Sequence, residues 1–139
     1  MIERDIARSP ADVFAYVVDA TNLAAWQTNI ISAVPDGPTA LGTKIHEVHR
    51  APGGKRIASV VEVVEYEPER ALGLRIIEGL PVHGRITLEP NDGGTRFRFR
   101  VSTEPTGMMR MAQPVMRAML RRQFDQHCTN LKAMLEAPT

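Results

Sequence analysis

Arginine and apolar residues alternate strictly along Arg96-Phe97-Arg98-Phe99-Arg100-Val101. A period of two puts Phe97, Phe99 and Val101 on one face of a strand and the three arginines on the other. Val82, Gly84, Ile86 and Leu88 alternate in the same way with His83, Arg85, Thr87 and Glu89, and Leu72, Leu74 and Ile76 follow more loosely. Turn signals at Pro52-Gly53-Gly54, Glu67-Pro68-Glu69, Gly79-Leu80-Pro81 and Asn91-Asp92-Gly93-Gly94 punctuate these runs. They recur about every dozen residues, as in an antiparallel meander. The predicted sheet therefore has one dry face and one wet face. The run Val60 to Val64 is apolar on both faces, so its orientation stays open.

The period changes at both ends. After a short strand, Ile2 to Ala7, the segment Ser9-Pro10-Ala11-Asp12 reads as a helix start. Ser9 can accept from a first-turn amide, and Pro10 fills a position whose N–H has no partner anyway. Val13, Phe14, Val17 and Val18 give that helix a buried face; Asp19 to Asn22 breaks it and leads into a second short helix with Leu23 and Trp26. Near the C-terminus, Met108, Met111, Val115 and Met119, then Leu120, Phe124, His127, Cys128, Leu131, Met134 and Leu135, recur at spacings of three and four. The pattern predicts one long helix over Pro114 to Glu136, with Pro114 either kinking it or marking its start. Such a helix is about 35 Å long. One helix of that length can cover the dry face of one curved sheet. The expectation is a single α+β domain over 1–139: a curved antiparallel sheet wrapped around a long C-terminal helix, with two short helices after the first strand.

Composition narrows the partners. The chain has 139 residues, 43% hydrophobic and 24% charged, with formal net charge +1. That balance makes no case for a nucleic-acid or membrane-surface partner. The single cysteine, Cys128, cannot form an intrachain disulfide, and the N-terminus lacks the apolar core of a signal peptide. No apolar run approaches the roughly 18 residues that span a membrane. A cytoplasmic protein without membrane insertion, monomeric or homodimeric, is expected.

In order, the first strand, the Ser-Pro start, Asp19-Ala-Thr-Asn-Leu-Ala-Ala-Trp26, Leu41-Gly42-Thr43, Val63-Val64-Glu65-Tyr66-Glu67-Pro68, Gly94-Thr95-Arg96 and a last helix with Asn130-Leu131-Lys132 span nearly the whole chain. This sequence of motifs resembles the polyketide cyclase/dehydrase group of the START-like (SRPBCC) superfamily. The resemblance implies a helix-grip fold: seven antiparallel strands, two short helices, and a long helix over a cavity. It implies six strands after the helix pair. Five runs are clear there, leaving Ile30 to Val34, or a split of one run, for the sixth. It also implies a hydrophobic small-molecule ligand and, in some members, cyclisation or dehydration of polyketides. It brings no common catalytic motif; no cofactor and no metal are expected.

The expected function is binding of a small hydrophobic molecule between sheet and helix. The first alternative is an acid–base enzyme, a lyase or isomerase acting on a polyketide-like substrate; the second is a protein-interaction or regulatory domain. The expected cavity lining is Trp26, Ile45, Leu72, Leu74, Ile76, Glu78, Phe97, Phe99, Met111, Val115 and Met119. Trp26 has a structural reading as the anchor of the second helix. The methionines have one as plain core packing, against a lining that repacks around variable guests. His46 and His49, three apart on a strand, face opposite sides and cannot converge on one ion. Cys128 reads as an inert buried thiol. If Ile45 points inward, Glu47 and His49 do too, and two titratable groups in an apolar cavity are what proton removal beside a carbonyl and protonation of a departing oxygen need. If Val48 points inward instead, Glu47 and His49 are solvated.

Overall fold

The computed structural model describes residues 1–50, 53–78, 82–103 and 113–137. Seven strands form one antiparallel sheet: β1 (Ile2–Ile6), β2 (Ile30–Pro35), β3 (Lys44–Arg50), β4 (Arg56–Glu67), β5 (Ala71–Glu78), β6 (Val82–Asn91) and β7 (Gly94–Thr103). Their order is β1-β7-β6-β5-β4-β3-β2, so the first two strands in sequence are the two edges. Between β1 and β2 come α1 (Pro10–Val17), a 3-10 turn (Ala20–Asn22) and α2 (Leu23–Trp26); α3 (Gln113–Glu136) follows β7. This is the helix-grip architecture, and β2 supplies the strand that the pattern had left open.

The local signals explain the ends. Ser9 Oγ accepts from the amide of Asp12, as an N-cap should, and Asp19 accepts from the amide of Thr21. Pro114 is the second residue of α3 as bounded, a position that proline tolerates because first-turn N–H groups have no intrahelical partner to lose. The arginines of β7 lie on the outer face: Arg98 reaches Glu3 at 2.8 Å and Glu89 at 3.1 Å, and Arg96 lies 3.4 Å from Asp5. These exposed pairs stitch β1, β7 and β6 together at little energetic return each.

Two bulges settle what alternation could not. Val63 pairs with Leu74 but Glu65 with Gly73, so Val64 is an extra residue on β4. Val61 and Val63 face the core at 5% and 1% exposure while Val64 is 42% exposed, which orients the run that read as apolar on both sides. Past the bulge, Glu65 lies on the outer face. Gly73 has no side chain there, where a Cβ would come within 2.7 Å of the Glu65 Cβ, and Glu65 reaches across it to Arg85 at 2.7 Å. The second bulge lies between Val60 and Val61: Val61 pairs with Ile76, but Val60 with Glu78. Directly paired residues share a face, so the extra residue, Ile77, turns Glu78 away from the Leu72, Leu74, Ile76 face.

The core gathers Ile6, Val13, Phe14, Leu72, Ile86, Leu88, Phe97, Leu131 and Leu135 between sheet, α1 and the second half of α3. Arg4 to Asp125 (2.7 Å), Lys132 to the Asp5 carbonyl, and Glu136 to the Ala7 amide (2.8 Å) fix α3 along β1. Leu131 is fully buried. Leu131→Ala is expected to lower unfolding free energy by about 2–5 kcal/mol through lost transfer energy and a residual cavity, read as a reduced urea midpoint at unchanged slope.

Candidate functional site

The inward face is not uniformly covered. Phe97, Ile86 and Leu88 are buried, yet Leu74, Ile76, Val101 and Phe124 are half-buried and Ile57 is exposed. These accessible positions lie toward one edge of the sheet, where β3, β5 and β7 end and β4 and β6 begin. Gly84, between Leu74 and Val101, leaves room for the Phe99 ring, whose carbons lie 3.4 Å from where a Cβ would stand.

On β3, Ile45 and Glu47 are 4% and 8% exposed and His49 is half-buried, so the inward orientation is the one found. Every β3–β4 pair is symmetric about Gly53, and Glu47 therefore faces Ser59 while His49 faces Ile57. Ser59 Oγ lies 2.5 Å from His49 Nε2, and Glu47 Oε1 lies 3.6 Å from the same nitrogen. Ser59 was not foreseen as a site residue, although a hairpin centred on the Pro52-Gly53-Gly54 turn would have placed it opposite Glu47. Burial pushes the Glu47 carboxyl up to about 7 and lowers the His49 imidazole from its usual range. At neutral pH the pair is thus a partly protonated acid beside a neutral base, with little ion-pair character. Because serine and carboxylate approach one and the same ring nitrogen, the relay of acyl-transfer enzymes, which uses both nitrogens of the histidine, is not formed.

Of the other expected lining residues, Leu72, Phe97 and Phe99 are buried and inward. Trp26 is 1% exposed, edge-on to Phe99 at 6.5 Å, and its carbonyl accepts from Asn130 at 3.3 Å, so it sits in the packed interior and not at a rim. Met111 lies outside the described residues. Glu78, Val115 and Met119 are not brought to the inward face. Glu78 borders an outer groove of about 460 Å³ with Val34, His46, Val48, Ala58 and Val60, a groove that Glu47 and Ser59 also touch. Val115 and Met119 are 66% and 53% exposed. They precede Leu120, Phe124, His127 and Leu131, which form the sheet-facing stripe; at 100° per residue the two sets lie on roughly opposite sides of the helix. His46, on that outer groove, and His49 occupy opposite faces. Among the described residues no group of three or more His, Cys, Asp or Glu side chains could hold a metal ion. Cys128 is buried and its thiol is pushed up to about 12, chiefly by burial.

The family model described as polyketide cyclase / dehydrase and lipid transport matches residues 2–136. The chain belongs to this family. Among solved structures, this polyketide cyclase/dehydrase-family chain is similar to TTHA0849 from Thermus thermophilus, with 19% identity, TM-score 0.82, and 96% of this chain and 94% of that one covered. It is also similar to StfQ, a di-domain ARO/CYC from the steffimycin biosynthetic pathway, at 15% identity and TM-score 0.77, with 97% of this chain covering 49% of that one. BexL, a di-domain ARO/CYC from the BE-7585A biosynthetic pathway, matches at 16% identity and TM-score 0.79, with 99% and 50% covered. At these identities the likeness is one of fold. No curated protein sequence matches. No helix among the described residues is long and apolar enough to cross a membrane.

The buried carboxyl makes a testable link between site and stability. Glu47 ionises near 4.5 in the unfolded chain and near 7 when folded. Between those values the folded protein keeps a proton that the unfolded chain has released, so the contribution is full below about 4.5 and is lost as pH rises through about 7. Glu47→Gln should therefore gain stability relative to wild type as pH rises across that window, with the difference levelling off above it. Urea midpoints of the two proteins, compared pH by pH, measure this; a constant difference would mean that Glu47 is not buried as described.

Proposed function

We propose that this protein binds a small hydrophobic molecule against the inward face of the sheet. The apolar body would lie at the accessible edge, on Ile57, Leu74, Ile76, Val101 and Phe124, with an oxygen-bearing end at Glu47, His49 and Ser59. The observation that carries the reading is Glu47. A carboxyl buried on an otherwise apolar face loses hydration without gaining a charged partner, a loss that is unfavourable for folding. Groups held in this condition concentrate at functional sites. An apolar surface with a few convergent polar groups is the usual composition of a small-molecule pocket. Family membership supports the same reading.

Native mass spectrometry of the purified protein should show a bound small molecule that organic extraction removes. The stripped protein should then take up an apolar fluorescent probe such as anilinonaphthalene sulfonate, and Ile76→Arg should weaken that uptake at least about ten-fold, since a charge in an apolar site costs well over 1.4 kcal/mol. Absence of both ligand and probe uptake in the wild type would overturn the proposal.

A second reading, dehydration or aldol-type cyclisation, is favoured by one observation: the neutral His49 base and the protonated Glu47 acid lie side by side. In a dehydration His49 would take the proton from the carbon beside a carbonyl. The electron pair of that C–H bond would form the new double bond, and Glu47 would give its proton to the departing hydroxyl, which leaves as water. On this reading Glu47→Gln abolishes turnover of the extracted ligand's precursor while affinity stays within a few-fold, and wild-type turnover falls as pH passes about 7 and Glu47 loses its proton. Unchanged turnover in the variant would remove Glu47 from the chemistry.

A further inference from the structure

Two buried rings each hold a polar atom that finds no hydrogen-bond partner among the described residues: Trp26 Nε1 and His127 Nδ1. Trp26 is 1% exposed and His127 2%. Asn29 Oδ1, three residues after Trp26, is in the same condition. Buried side-chain polar atoms in folded proteins nearly always have a partner, because an unmade bond forfeits the atom's hydration. Packing alone does not account for these two. An apolar ring could make the edge-on contact with Phe124 that His127 makes at 5.4 Å. Trp26 holds α2 to α3 through its carbonyl, which accepts from Asn130 at 3.3 Å, and not through its indole nitrogen.

The two atoms belong to one cluster of rings. Trp26 meets Phe99 with centroids 6.5 Å apart, Phe99 meets Phe124 at 5.2 Å, and Phe124 meets His127. His127 lies one turn before Asn130 on α3, so α2 and α3 bring the indole and the imidazole to the same junction. Trp26, Phe99 and His127 are buried, whereas Phe124 is half-buried. The Phe99 ring lies over Gly84, between Leu74 and Val101, at the accessible edge of the inward face. The path from that edge to the two atoms therefore runs past Phe124.

We propose that Trp26 Nε1 and His127 Nδ1 form an inner polar subsite for a hydroxyl group of the bound molecule, admitted when the Phe124 ring turns aside. The chemistry selects that group. An indole N–H only donates. Burial pushes the His127 imidazole down to about 4, so near neutral pH the ring is uncharged, and Nδ1 donates or accepts according to its tautomer. A hydroxyl accepts from the indole and suits His127 in either tautomer. A carboxylate would bring a buried charge into a cluster of uncharged rings, at high cost. The inference rests on the ligand reading above and adds to it a second oxygen, besides the one at Glu47, His49 and Ser59.

The test sets 2-naphthol against naphthalene, which differ by one hydroxyl, as competitors for anilinonaphthalene sulfonate on the full chain. 2-Naphthol is expected to displace the dye at a concentration at least about ten-fold lower, since a site built to bond a hydroxyl discriminates strongly against the analogue lacking it. Trp26 is the chain's one tryptophan, so a single indole N–H resonance reports on the subsite. 2-Naphthol should move that resonance downfield, as a newly donated hydrogen bond does, and naphthalene should not. His127→Phe should cut the preference several-fold and leave displacement by naphthalene unchanged. Its urea midpoint should equal or exceed that of wild type, because an apolar ring replaces an unpaired buried imidazole. A histidine with a purely structural role would give the reverse, a lower midpoint with the preference intact, and would overturn the inference. So would dye uptake with equal displacement by the two compounds or displacement by neither, or an indole resonance that 2-naphthol leaves in place because its hydroxyl goes to Glu47 or a buried water already serves Trp26. Each of these leaves the ligand reading standing; no dye uptake at all would overturn both.

Discussion

The inward side chains of β4 to β7 need an apolar cover, and from Phe124 onward α3 provides it. In that stretch Phe124, Cys128, Leu131 and Leu135 meet a sheet whose inward residues, Ile86, Leu88 and Phe97, are shut off from water. Phe124 stacks toward Phe99 at 5.2 Å, and His127 meets Phe124 edge-on at 5.4 Å. Val115 and Met119 lie on roughly the opposite side of the helix from that stripe, so these two apolar side chains are turned to the outside.

Burial at the closed end and access at the other also separate the two kinds of titratable group. His127 is buried between α3 and the aromatic cluster, and burial pushes its imidazole down to about 4. It holds to its neutral form above that value, and its contribution to stability is lost as pH falls from about 6.5 through about 4. Glu47 is displaced the other way. One group weakens the fold in acid and the other as pH rises toward neutral, and both remain uncharged over the interval between them. A packed interior that keeps its buried groups neutral avoids the large cost of unpaired buried charge.

How much of this was legible depends on whether the information was local. The strict alternation of Arg96 to Val101, the Ser9-Pro10 start and the spacing from Phe124 to Leu135 are local, and the elements they imply are present. Ser59 was recoverable from the turn at Gly53 but required committing to a hairpin register. The bulges were not recoverable: a single extra residue, Val64 or Ile77, leaves no mark in a run of apolar side chains, yet it reverses every face beyond it. That is why Glu78 reads in the sequence as continuing the Leu72, Leu74, Ile76 face and does not do so in the fold. Val115 and Met119 were misplaced for a related reason. Spacings of three and four hold from Val115 to Met119 and again from Leu120 to Leu135, but the step between the two stripes turns the apolar face around the helix.

That turn bears on how a site in this fold exchanges its contents with the surroundings. A ligand apolar enough to prefer the inward face would dissolve poorly in water, and its path to the protein would begin in a lipid phase or on another apolar surface. The accessible edge would then be most useful where it faces such a phase.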